Sequence, residues 1–183
     1  MASDNPNLIW IDCEMTGLSL ERDALVEIAV LVTDAELNVL GDGVDVVIAT
    51  SSEKLEQMNP EVRAMHADSG LLPLIPGGIS IEAAEKKVLE FLAHHTVPGK
   101  SPLAGNSVGM DRNFIARDMP LLNDYLHYRT IDVSSVKELA RRWYPKVYFA
   151  APKKTGNHRA LGDIQDSIAE LKYYRENIFL PHQ

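Results

Sequence analysis

The chain has 183 residues, 45% of them hydrophobic and 24% charged, the balance of an ordinary globular protein. That length favours one domain spanning residues 1–183, with a core large enough to need no disulfide or structural metal. The net charge of −8 argues against a long basic track for extended nucleic acid, and the single cysteine, Cys13, excludes an intrachain disulfide.

Residues 7–13 form a predicted strand, with Leu8, Ile9, Trp10 and Ile11 in a row before Asp12. Residues 25–34, LVEIAVLVTD, are a second strand and 39–49 a third; the turn DAELN and the other short gaps predict an antiparallel meander. Short helices are expected around Pro60 within 52–69, then a loop punctuated by Pro73, Pro76, Gly77 and Gly78. Ser80 caps a helix over about 81–95, where Ile81, Ala84, Val88 and Leu92 share one face. A short strand at 102–105 precedes helices over 109–119 and 120–127, the second opening on Pro120. A strand at 129–132 follows, then a helix capped by Ser134 or Ser135 and running to Trp143. Next come a loop over 145–158 and a last helix from about 161 to 177. This order gives an α/β fold with a mixed sheet flanked by helices.

Asp12 and Glu14 stand two apart at the end of an apolar strand and so share a face at the margin of a core. An unpaired charge there is costly, so each carboxylate needs a cationic side chain or a bound metal. Asp111 and Asp163 each fall in the first turn of a predicted helix, where the helix dipole alone would favour an acid. His158 lies in the loop before Asp163, while Asp166 and Glu170 read as a solvated stripe. Taken together, these carboxylates suit Mg²⁺ or Mn²⁺, and nothing in the chain has zinc spacing. Charge is also unevenly spread. Residues 1–100 carry 6 basic and 17 acidic side chains, and 101–183 carry 12 basic and 9 acidic, as chance patterning or a ligand presenting both signs would give.

Three segments carry a resemblance: WIDCEMTGL at 10–18, GNSVGMDRNFIARDMP at 105–120 and HRALGDIQDSIAELKYY at 158–174. They resemble the motifs of the DEDDh 3′–5′ exonucleases, and HYRTIDVSSVKELARRWYP at 127–145 is similar to a segment typical of the oligoribonuclease family within that group. The resemblance implies a ribonuclease H-like fold with strand order 3-2-1-4-5. It implies hydrolysis of very short RNA, especially dinucleotides, from the 3′ end to 5′-mononucleotides, by a homodimer. By the same resemblance, Asp12, Glu14, Asp111 and Asp163 hold two divalent cations and His158 is the general base. Ser107, Arg129 and Ser134 match a cap on the 5′ phosphate, and Leu18 matches a wedge between two bases. Tyr128 matches an aromatic reaching the neighbouring subunit's site, and His66 a position near the substrate. One departure is Glu61 and Val62, where some relatives carry a stacking aromatic; Met65 is the substitute at hand.

The competing functions are a broader single-stranded DNA or RNA exonuclease of the same superfamily and a non-catalytic nucleic-acid-binding module. Residues 1–10 lack the charged and apolar regions of a secretory signal, and no run reaches the roughly 18 apolar residues of a membrane span, so a cytoplasmic protein is expected.

Overall fold

The computed structural model describes residues 7–152 and 159–180. Strands β1 (Leu8–Met15), β2 (Leu25–Thr33) and β3 (Val39–Val47) pair antiparallel, as the short turn-rich gaps predict. Helices α1 (Ser52–Glu56), α2 (Pro60–Asp68) and α3 (Ile81–His95) follow. Strand β4 (Pro102–Gly105) lies parallel to β1. After α4 (Gly109–Asp118) and α5 (Pro120–Tyr125), strand β5 (His127–Asp132) lies parallel to β4. The chain continues through α6 (Val133–Trp143), α7 (Pro145–Ala150) and α8 (Ala160–Ile178). The sheet order is β3-β2-β1-β4-β5, the mixed five-stranded arrangement of a ribonuclease H-like fold.

Alternation along β1 assigns its side chains to two layers. Ile9, Ile11, Cys13 and Met15 pack with Val88 and Leu92 of α3 and with Phe114, Ile115 and Leu122 of α4 and α5. Trp10 faces the opposite layer, with Val133 and Ala140 of α6 and Ala160, Ile164 and Ile168 of α8. Each large aliphatic side chain fully withdrawn from water contributes about 1.5–3 kcal/mol, so both helical layers are held firmly to the sheet. Asp12 and Glu14 share Trp10's parity and therefore point toward the layer that contains α8.

Three local expectations change. The loop at Pro73–Gly78 is instead a 3₁₀ turn over Leu72–Gly77, pinned by fully buried Leu71 and Ile75. The loop expected from 145 contains α7, which opens on Pro145 and packs Val147 and Tyr148 against the second core. Helix α6 is capped by neither Ser134 nor Ser135. Asp132 is its N-cap, and the Asp132 carboxylate accepts the Ser134 N–H at 2.9 Å.

Candidate active site

The site forms where β4 ends and β1 continues. Strand β4 pairs with β1 at Ile9 and Trp10, then turns away at Gly105. A Cβ at Gly105 would lie 2.7 Å from Val108 Cγ1 and 3.1 Å from the Ile11 carbonyl oxygen, so only glycine lets the chain cross β1 so closely. Beyond that crossing the Cys13 N–H donates to Asp111 Oδ1 at 3.0 Å. Asp111 therefore stands at the carboxyl end of β1, reached from the first turn of α4. Open α/β sheets commonly place their binding crevice off the carboxyl ends of the strands where the order reverses.

Helix α8 brings the next carboxylate. Asp163 lies in its first turn, and oxygens of Asp12, Glu14 and Asp163 all lie within 4.8 Å of one another. Burial pushes the Glu14 carboxyl up to about 8, and the carboxylates of Glu27, Asp163 and Asp111 push in the same direction against Arg159. Burial also takes Asp111 up to about 6, outweighing the hydrogen bonds that lower it. The Cys13 thiol is raised by burial first and then by Asp111, Asp12 and Glu14. His66 is fully buried behind this cluster. Its Nε2 donates to the Met15 carbonyl at 2.8 Å, leaving Nδ1, which has no hydrogen-bond partner among the described residues, 3.9 Å from Glu14 Oε2. Crowded hard oxygens whose carboxyls resist ionisation fit a divalent cation, which supplies the missing positive charge.

This crowding has a measurable sign. Between its ordinary value of 4.5 and about 8, the folded Glu14 keeps a proton that the unfolded chain releases. The folded state then binds more protons, so stability falls as pH rises through that window. In metal-free protein the advantage of Glu14→Gln over wild type in melting temperature is expected to grow from about pH 5 to about pH 8. Mn²⁺ is expected to raise the wild-type melting temperature more at the higher pH, because the ligands must lose their protons to bind it. Thermal melts across pH check both; a constant Glu14→Gln advantage would contradict the crowding.

Glu27 is a further carboxylate at this end of the sheet, a lone acid within the apolar run of β2. It sits directly opposite Glu14 in the β1–β2 register and is fully buried. Like charges in such a pair are destabilising unless a cation intervenes. Arg159 provides one, its Nε and Nη2 donating to Glu27 Oε1 at 2.8 and 2.6 Å. Glu27 Oε2 accepts the Ala160 N–H at 3.1 Å, serving the start of α8, where Arg159's own side chain makes no cap.

A second polar corner joins β4, β5 and α6. Ser107 has a φ of 56°, a left-handed conformation costing about 1–3 kcal/mol for a residue with a Cβ. Asp132 Oδ1 holds it there by accepting the Ser107 N–H at 3.0 Å, and the Ser107 and Ser134 hydroxyls lie 3.0 Å apart. The Ser134 hydroxyl donates to Asn106 Oδ1 at 2.9 Å, and Asn106 Nδ2 donates to Ser167 Oγ at 2.7 Å and to Glu170 Oε2 at 3.3 Å. Glu170 is thus not part of a solvated stripe: it is buried and paired with Lys137 at 3.0 Å. Tyr128 and Arg129 are exposed on β5, with the guanidinium 5.3 Å from the tyrosine ring centre.

Leu18 projects from the turn after β1, 69% exposed, into a groove of about 880 Å³ also lined by Thr16, Arg22, Asn59 and Val62. Asp23 fixes this turn by accepting from the Thr16 hydroxyl at 3.0 Å and the Ser19 N–H at 2.8 Å. A Cβ at Gly17 would sit 2.5 Å from Asp23 Oδ2 and would displace the carboxylate that fixes the turn. Glu61 is exposed and Met65 partly buried. His158, Lys153 and Lys154 lie outside the described residues.

The sequence model of the family described as Exonuclease matches residues 9–171. An oligoribonuclease of Streptomyces avermitilis is 62% identical over 178 residues, covering 97% of this chain and 89% of its own. An oligoribonuclease of Cutibacterium acnes is 55% identical over 176 residues, covering 95% and 87%. Among solved structures, Escherichia coli exonuclease I in a zinc-bound complex with single-stranded DNA superposes with a TM-score of 0.73 at 16% identity, covering 96% of this chain. Exonuclease I of Methylocaldum szegediense gives 0.70 at 20% identity, covering 94%. The chain spans about 41% of either of those two proteins, and the likeness to them is one of fold. No helix among the described residues is long and apolar enough to cross a membrane.

Proposed function

The chain belongs to the exonuclease family, and from that premise we propose that it is a metal-dependent 3′–5′ exoribonuclease acting on very short RNA, dinucleotides above all, and releasing 5′-mononucleotides. The observation that carries this reading is the convergence of Asp12, Glu14 and Asp163, with Asp111 beside them, at the open end of β1. These four carboxylates hold two divalent cations, Mg²⁺ or Mn²⁺. When bound, such a pair of cations activates water and neutralises charge on the phosphate and the departing 3′ oxygen. His158, next to Arg159 in the chain, accepts the proton of the attacking water, a task suited to an imidazole that titrates near neutrality.

A dinucleotide offers one internal phosphate, two bases and its ends, so recognition must use all of them. Leu18 wedges between the bases at the groove, supported by its exposure on a turn held by Asp23. Ser107, Ser134 and Arg129 take the 5′ phosphate, supported by the paired serine hydroxyls and the strained Ser107 backbone. The Arg129 guanidinium binds such a phosphate through two parallel N–H groups. His66, fully buried, acts one group removed from the substrate, from behind Glu14. Such a cap closes the groove to longer RNA.

Arg129→Ala is expected to weaken binding of a 5′-phosphorylated dinucleotide by about 10- to 100-fold, the worth of a charged hydrogen bond of about 1.5–3 kcal/mol. The same dinucleotide with a 5′ hydroxyl should bind nearly as before. Titration calorimetry on both ligands separates the outcomes, and equal losses would count against the cap.

The protein works in the cytoplasm as a homodimer, in which Tyr128 reaches the partner's site. Support comes from exposed Tyr128, Trp143 and Phe149, at 74%, 67% and 82%, an unusual set of large apolar side chains to leave in water. Sedimentation should give twice the chain mass, and a fully active monomer would contradict the role of Tyr128.

The broader exonuclease reading draws on the fold shared with a single-stranded DNA complex. Turnover of a diribonucleotide and of longer single-stranded DNA, each with limiting enzyme and Mn²⁺, decides between them. We expect mononucleotide release from the diribonucleotide that stops on chelation and a far slower reaction with DNA. Comparable rates would overturn the preference for short RNA.

A further inference from the structure

We infer that Glu27 and Arg159 are a positioning pair that seats the first turn of α8 against the sheet and thereby sets Asp163 at its place beside Asp12 and Glu14. The inference rests on the metal-dependent reading above and concerns residues outside the proposed ligand set.

Three observations carry it. First, Glu27 belongs to the acidic end of the sheet yet is no additional ligand. It lies opposite Glu14, but Arg159 occupies one of its oxygens and the Ala160 N–H the other. Second, the pair joins two separate elements, β2 and the start of α8, across 132 residues of chain. Two guanidinium N–H groups converge on one oxygen of the buried Glu27 carboxylate while its other oxygen holds the Ala160 N–H, so a single carboxylate ties both Arg159 and the start of α8 to β2. Third, the link continues to the ligand itself. The Arg159 carbonyl accepts the Asp163 N–H at 3.1 Å, and Asp163's carbonyl in turn accepts the Ser167 hydroxyl at 2.7 Å. Residue 163 is one helical turn beyond residue 160, so Asp163 and the clamped Ala160 lie on the same side of α8. The path from Glu14 across the strand pair to Glu27, through Arg159 and into Asp163 is continuous and short.

A bland alternative is that Glu27 and Arg159 merely tune the local field. The two accounts make opposite predictions. If Arg159 acts by its charge, removing a cation near the carboxylates tightens Mn²⁺ binding. If Arg159 acts as a clamp, removing it lets the first turn of α8 shift and weakens Mn²⁺ binding, because partners that orient metal ligands are worth about 10- to 100-fold in affinity.

The experiment measures Mn²⁺ binding by calorimetry and by the resonance signal of free Mn²⁺, on full-length protein in wild-type, Arg159→Gln and Arg159→Lys forms. The expected result is about 10- to 100-fold weaker Mn²⁺ binding in Arg159→Gln. Arg159→Lys, which keeps the charge but loses the fork, is expected to bind Mn²⁺ weakly as well. Turnover of both should recover toward wild type as Mn²⁺ is raised. Tighter or unchanged binding in either variant overturns the positioning role. Arg159→Gln leaves Glu27 buried without a cation, so Arg159→Lys decides the matter if the first variant does not fold. Wild-type protein that neither binds Mn²⁺ nor needs it would instead defeat the metal-dependent reading itself, an outcome distinct from failure of the clamp.

Discussion

Asp163→Asn is expected to lower kcat by about 10³-fold or more while leaving the protein folded. Asparagine keeps the shape of the side chain but removes one of three carboxylates whose oxygens lie within 4.8 Å. A metal ion supplies several kcal/mol of charge stabilisation in a phosphoryl transition state, and each 1.4 kcal/mol or so is a factor of ten in rate. The metal-free variant should be at least as stable as wild type, because Asp163 is one of the charges that raise the Glu14 carboxyl. Loss of activity with gain of stability is the pattern of a side chain kept for function. Calorimetric Mn²⁺ titration, steady-state turnover and a thermal melt test the three parts. Turnover near the wild-type rate would remove Asp163 from the ligand set.

The second large effect belongs to His158. His158→Asn should reduce turnover by about 10²–10⁴-fold, the usual worth of a general base. Mn²⁺ affinity should hardly change, since the carboxylates remain. The pH–rate profile should also lose the limb that reports the base. The two substitutions are therefore expected to separate: Asp163→Asn loses metal and rate together, while His158→Asn loses rate alone. A His158→Asn enzyme of undiminished turnover would leave the proton of the attacking water without its acceptor.

Much of this was legible in the sequence because the carboxylates break a strong local pattern. Asp12 and Glu14 follow an apolar run, and strand alternation alone puts them on one face. The meander and the crossover strands follow from turn residues and helical periodicity, and the sheet order agrees. Glu27 escaped notice although it breaks its pattern in the same way, a lone acid inside LVEIAVLVT, where every position is buried. The signal was present, but its partner Arg159 lies far away in the chain, and pairing across such a distance is a property of the fold. Glu170 failed for a related reason. Its helical position permits a solvated face, and only the approach of Asn106 and Lys137 buries it. Asp132 was overshadowed by the serines after it, although an acid between a strand and a helix is a strong N-cap. The strained Ser107 could not be read locally, since its conformation depends on that same Asp132.

The candidate site thus depends on contacts among elements distant in sequence, whereas Asp12 and Glu14 stand out locally at the end of an apolar strand. The acidic chain needs no extended basic surface if its substrate carries one or two phosphates. Leu18 lines the groove beside β1, and the Ser107–Ser134 hydroxyl pair stands at the junction of β4, β5 and α6.

The most direct test is the length profile of hydrolysis. Radiolabelled, 5′-phosphorylated RNA of two to about ten nucleotides is offered to limiting enzyme with Mn²⁺, and the initial rate of 5′-mononucleotide release is measured at each length. An enzyme specialised by a cap on the 5′ phosphate consumes the dinucleotide fastest, with rates falling steeply as nucleotides are added. Equal rates across the series, or faster release from the longer chains, would contradict it.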